Sequence, residues 1–174
     1  VIITVEDAKK YISTTDSDEV LESKLQALEL LIRKYTNNNF QKRSIRTECA
    51  VLSQKLFTDY PLFSVGDTVQ ISQSTYNDGI YVIKEIADGF IELDANLLDE
   101  PRILITKVEY PHDVQIGAVN MLKWELQNRD KVGIQSEAIS RHSVTYFNMD
   151  GDNSIMGFPK SLLGFLVPYK KARF

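Results

Sequence analysis

"SVGDTVQISQSTYNDGIYVIKEIADGFIELD" spans residues 64–94 and decides how the chain is to be read. Its apolar residues fall in short runs at alternate positions, cut apart by turn-forming clusters. Alternation with a period of two marks a half-buried strand. Gly66-Asp67 opens the first run. Asn77-Asp78-Gly79 marks one tight hairpin and Asp88-Gly89 another, since these residues accept the backbone that tight turns need. Strands are expected near 68–72, 80–86 and 90–94. "RILITKV" (102–108) supplies a fourth and "AVLSQKLF" (50–57) a fifth. Strands this short and evenly spaced predict a small SH3-like β-barrel over residues 49–108.

On both sides of this module the period changes. "TVEDAKKYIS" predicts a short helix capped by Thr4, with Asp7 three residues on, as in a capping box. Asp16 is placed to cap a second helix. There Leu21, Leu25, Leu28, Ile32 and Tyr35 recur at spacings of four and three, giving one apolar stripe. "TNNNF" ends that helix, because Asn tolerates the left-handed backbone of a helix stop. After the module, Pro111 and Asp113 suit the first turn of a third helix, whose buried stripe is Val114, Ala118, Met121, Leu122 and Leu126. "EAISRHSVTYFNM" follows as an extended run with Val144 and Tyr146 on one side, and "DGDNSIMG" as a loop. Pro159 opens a last short helix with Leu162, Leu163, Phe165 and Leu166 inward. Pro168 should end it, because proline lacks the donor and disfavours helix at the residue before it. The expected class is therefore α+β: a mainly helical core of about four helices (1–48 and 109–174), an inserted barrel (49–108) and a C-terminal arm.

Composition sets further bounds. The chain has 174 residues, 43% apolar and 25% charged, which is ordinary for a globular protein. Its apolar runs fall far short of the roughly 20 residues that span a membrane. No charged, then apolar, opening predicts a secretory signal. The single cysteine, Cys49, excludes an internal disulfide framework and fits a reducing compartment. The net charge of −4 argues against broad binding to nucleic acid, which needs clustered Lys and Arg.

The residues that would carry catalysis are missing from the sequence pattern. His112 and His142 stand in no ligand spacing, and no CxxC, HExxH, GxGxxG or P-loop occurs. In "DGDNSIMGFPKS", Asp150, Asp152 and Ser154 take the first, third and fifth places of a calcium loop. Ile155 stands where that loop needs Gly, and Ser161 where it needs Glu. No catalytic, cofactor or metal-binding residue is assigned, and the chain is not expected to be an enzyme. The alternative is a nucleic-acid-binding regulator using the barrel. Tyr76, Tyr81 and Phe90 could stack on bases, but four cations against nine acids in residues 50–108 would repel phosphate.

The chain ends "GFPKSLLGFLVPYKKARF". From Lys160 onward it carries four cations and no acid, so the remainder carries −8 of the −4 total. Tyr and Arg are enriched at binding hot spots. Pro168, Tyr169, Lys170, Lys171, Arg173 and Phe174 are accordingly expected to form an arm that docks into an acidic groove on a partner.

Taken together, "VEDAKKYIS…DSDEVLESKLQALELLIRKYTNNNF", "VQIGAVNMLKWELQNRD", "GIQSEAISRHSVTY" and "FPKSLLGFLVPYKKARF" resemble the head–tail connector, or head-completion and adaptor, proteins of tailed bacteriophages. The resemblance covers about residues 4–48 and 110–174. Its most specific residues are Ser136, Glu137, Ser140, Val144, Tyr146, Pro159, Leu162, Leu166, Pro168, Tyr169 and Lys170. It implies a structural virion protein, present in the host cytoplasm during assembly and then at the head–tail interface. Copies would form a homo-oligomeric ring, usually twelvefold, under the portal protein and above a stopper or tail-completion protein. The ring would extend the channel through which DNA passes, with its C-terminal segment toward the portal and no membrane contact. Asp150, Asp152 and Asn153 are the candidate channel-facing loop. The simplest members of that family lack the β module, so the resemblance assigns it no role.

Overall fold

The computed structural model describes residues 1–128, 136–139, 142–145 and 153–172. The chain is α+β and divides into two compact units. One comprises Val1 with Asn39–Tyr110, the other Ile2–Asn38 with Pro111–Phe174.

The first unit is a closed antiparallel barrel of six strands: β1 (Gln41–Leu52), β2 (Lys55–Phe57), β3 (Thr68–Ser72), β4 (Gly79–Ala87), β5 (Phe90–Leu93) and β6 (Glu100–Val108). Around the barrel the order is β1-β2-β5-β4-β3-β6. Alternate residues point inward, so Val51, Leu56, Val69, Ile71, Ile83 and Ile105 pack into one core. The barrel is larger than the sequence predicted and has its own interior, so it is more than an appendage of a mainly helical core. Residues expected in the helical part, from Gln41 to Glu48, belong to β1. The expected single run 50–57 is instead the end of β1 and all of β2, with Leu52 paired to Lys55. Ser53 and Gln54 between them both take positive φ, 51° and 67°, the two-residue turn that matches strand twist.

Asp88-Gly89 does form a tight turn, with Ala87 paired to Phe90 and Gly89 at φ 80°. Asn77-Asp78-Gly79 does not. Ile71 pairs with Gly79, and a wide loop over 73–78 joins β3 to β4. Asn77 is buried and clasps the β5–β6 connection: its Oδ1 accepts from Leu98 N (2.8 Å) and its Nδ2 donates to Leu98 O (2.8 Å). The Glu100 carboxylate closes the loop, accepting from Thr75 N (2.6 Å), Asn77 Nδ2 (2.9 Å) and the Ser74 hydroxyl. Cys49 lies inside the barrel, where burial pushes its thiol up to about 11.

The second unit contains α1 (Val5–Lys9), α2 (Asp18–Thr36), α3 (His112–Asn128) and a closing 3-10 helix (Lys160–Tyr169). It also has two strand pairs, β7 (Ser136–Ile139) with β8 (His142–Thr145) and β9 (Ser154–Ile155) with β10 (Phe158–Pro159). The expected single extended run over "EAISRHSVTY" is thus a two-stranded pairing, Ile139 opposite His142. Thr4 caps α1 as predicted, accepting from Asp7 N at 3.1 Å. Ser17, not Asp16, caps α2; Asp16 instead pairs with Lys24 at 2.9 Å. Asn37 ends α2 in the left-handed region, φ 50°. Leu21, Leu25, Leu28 and Ile32 of α2 and Val114, Ala118, Met121 and Leu122 of α3 are buried as their stripes predicted. Among the described residues no helix is long and apolar enough to cross a membrane.

The Glu100 clasp carries a pH signature. Hydrogen bonds from Ser74 and from Thr75 N hold its carboxyl near 2, below the ordinary 4.5. A carboxylate depressed in the folded state stabilises it above the ordinary value, and that contribution disappears as pH falls from about 4.5 to about 2. Glu100→Gln should therefore lower Tm at neutral pH, and the gap from wild type should close as pH falls through that window. Thermal melts at a series of pH values test this; a gap that stays constant down to acid pH would refute it.

Candidate docking surface

The C-terminal segment is built on α3. Phe158 is buried with its ring 5.3 Å from that of Trp124. In a 3-10 helix residues three apart share an edge, and Leu163 and Leu166 are buried along one such edge. Leu162 and Phe165, on the next edge, are half-buried. Gly117 of α3 provides the notch in which the Phe165 ring rests: a Cβ there would stand 2.2 Å from that ring. Pro168 lies inside the 3-10 helix and does not stop it at Val167, contrary to the sequence expectation. It sits in the last turn, where one lost donor costs little, and Lys170 N still donates to Val167 O at 3.4 Å.

Beyond the helix, residues 169–172 are fastened to their own chain, so this part is no outstretched arm. The Tyr169 hydroxyl lies 2.8 Å from both carboxylate oxygens of Asp113, to which it donates. That bond is the main cause that raises the phenol's pKa. Asn38 Nδ2 donates to Tyr169 O (3.2 Å), Lys171 N to Thr36 O (2.8 Å) and Asn37 Nδ2 to Ala172 O (2.8 Å). The Lys170 ammonium sits 4.0 Å from the centre of the Tyr35 ring. One C-terminal carbonyl of α2, that of Thr36, thus receives a donor from the segment, and Lys170 and Lys171 bring cations to the helix end, as a helix C-terminus favours. Pro168, Lys170 and Lys171 are exposed. Arg173 and Phe174 lie outside the described residues, as do Asp150 and Asp152; Asn153 is exposed just before β9.

Sequence reasoning missed a second feature. Ala27, Leu28 and Leu31 of α2 with Met156 and Phe158 line a shallow groove of about 180 Å³, edged by Lys24 and Glu125. Val20 and Leu30, on α2 itself, are exposed as well. The available signal was a second apolar row on α2, at Val20, Ala27 and Leu31, beside the buried stripe. A larger open cleft of about 700 Å³ lies in the barrel, lined by Lys55, Lys84, Glu92 and Asp94. Its cations are engaged: Lys84 is 3.7 Å from Glu92, and Lys55 lies 3.8 Å over the Phe90 ring. Among the described residues no His, Cys, Asp and Glu group could hold a metal ion. His112 is exposed, its Nδ1 3.4 Å from Gln115 Oε1. These surfaces offer contact area and positive charge. No known family model matches the chain, and no curated protein matches it.

Gly117→Ala tests how firmly the C-terminal segment is seated. Alanine favours the helix by up to about 1 kcal/mol, whereas overpacking against Phe165 costs about 1–3 kcal/mol. Net destabilisation of about 1 kcal/mol is expected in urea titration, with faster amide exchange over residues 163–172. A more stable variant with unchanged exchange would show that the ring moves aside freely.

Proposed function

We propose that the chain is a structural virion protein, a ring-forming head–tail connector that docks under the portal, extends the DNA channel and joins the capsid to a stopper or tail. The observation that carries this reading is that most of the two end segments resembling connectors belong to one compact unit, Ile2–Asn38 with Pro111–Phe174, while residues 39–48 of the first belong to the barrel. Within that unit, the resembling closing sequence is seated on α3 and fastened to the end of α2. The strap turns Lys170 and Lys171 to solvent close to the chain's last residues. With its backbone held in place, this segment loses less freedom on binding than a loose tail would, which favours affinity. The portal-facing surface is then Pro168 to Lys171 with Arg173 and Phe174, and the partner surface is acidic. The ring acts by shape and charge, and no chemical step is assigned to it.

Electron microscopy of the purified chain mixed with purified portal should reveal an added ring of density beneath the portal. Lys171→Glu combined with removal of Arg173 and Phe174 spares the Tyr169, Lys171 backbone and Asn38 bonds. It should weaken portal binding about tenfold or more, since charged contacts at a docking surface are each worth about 1 kcal/mol or more, with only a small fall in Tm from the cation lost beside the α2 C-terminus. Full-affinity binding by this variant would remove the C-terminal assignment, and absence of any ring would remove the connector reading.

A further inference from the structure

Two of the barrel's groups of charges without an ion pair lie on opposite walls. In the closed order β1-β2-β5-β4-β3-β6, β1 and β4 are three places apart in either direction and so lie across the barrel from each other. On β1, Lys42, Arg43 and Arg46 are exposed within five residues. Lys42 pairs with Glu109, whereas Arg43 and Arg46 make no ion pair among the described residues. The backbone bulges here: Gln41 pairs with Val108 and Arg46 with Thr106, so residues 42–45 stand against Lys107 alone. β2 joins β1 only from Ala50 onward, so the other edge of this stretch meets no strand of the barrel.

The wall across from it is acidic and frustrated. Glu85 and Asp88 are exposed and make no ion pair among the described residues. Glu85 of β4 is the direct cross-strand partner of Glu92 of β5, and like charges so placed repel. The nearby Lys84 pairs with Glu92 rather than Glu85, at 3.7 Å. β4 pairs with β3 through Gly79–Val82, so Lys84 to Ala87 pair with no residue of β3.

We propose that these two walls bind each other between copies, the Arg43–Arg46 wall of one barrel against the Glu85–Asp88 wall of the next. This deepens, and rests on, the ring reading, and it gives the barrel the role of joining neighbours. The contact joins two different patches, so it is heterologous, the kind of contact that makes a ring when the rotation between neighbours closes. Opposite placement lets one barrel hold a neighbour on each side at once. The arriving guanidinium supplies the cation that Glu85 lacks.

Edge cations can also serve simply to keep strands from pairing, and a charge-swap experiment separates the two roles. The full chain is compared with R43E/R46E, with E85K/D88K and with the quadruple variant, fold being checked by circular dichroism and Tm. Association is measured by sedimentation velocity at low salt and at about 0.5 M salt, and as copies retained on purified portal. Wild type should associate at low salt and less at high salt. Each double variant should associate about tenfold more weakly. The quadruple variant, with both walls reversed, should regain most of the loss, as should a mixture of the two doubles. Doubles that associate like wild type, or a quadruple no better than the doubles, would overturn the proposal and leave the ring reading standing. If wild type associates neither free nor on the portal, both fall.

Discussion

The pairing of β1 with β6 is the constraint on which the rest of the architecture depends. Strands that begin some sixty residues apart must meet edge to edge before the barrel has an interior. Their meeting brings the entry and exit of the unit together. Glu109 N donates to Phe40 O at 3.0 Å, and the Phe40 and Tyr110 rings lie 4.8 Å apart, centre to centre. Because the chain leaves the barrel where it entered, a unit of this size can interrupt a helical sequence without separating the segments on either side of it. Closure also removes most of the open sheet edge that would invite aggregation. The stretches that pair with a strand on one side only, at the start of β1 and the end of β4, carry charges of opposite sign.

In the helical unit the ordering force is different. Local signals set each helix, and a few long-range polar contacts then fix the chain's end. Tyr169 reaches Asp113 in the first turn of α3, while Asn37, Asn38 and Thr36 hold the segment that follows. Each of these bonds is modest by itself at an exposed site. Acting together on Tyr169, Lys171 and Ala172, they make a cationic terminus a defined surface. The functional reading uses that definition: a ring subunit has to present the same surface in every copy.

Much of this was legible in the sequence wherever the signal is local. Alternation over 64–94 announced the barrel, Asp88-Gly89 its tight turn, Thr4 a cap, and Asn37 a left-handed helix stop. The first half of β1 was not legible. "QKRSIRTE" shows solvent a charged face, and its strand character comes from β6, far away in sequence. Asn77 resembled a turn former but spends its side chain on Leu98 and Glu100. Ser53-Gln54 forms a turn usually marked by Asn-Gly, so nothing flagged it. The docked terminus escaped for a similar reason: donors from Asn37 and Asn38 to backbone carbonyls leave no trace in spacing. The opposition of Arg43 and Arg46 to Glu85 and Asp88 exists only once strand order is known.

The sealed position of Cys49 has a practical corollary. The thiolate is the reactive form, and this sulfur is both enclosed and held in its protonated state at neutral pH. As the chain has one cysteine, the folded molecule is a silent background for maleimide chemistry. A dye or cross-linker anchored at a newly introduced surface thiol would report from that place alone. The native sulfur would then answer a different question, taking up reagent at the pace at which the barrel breathes open.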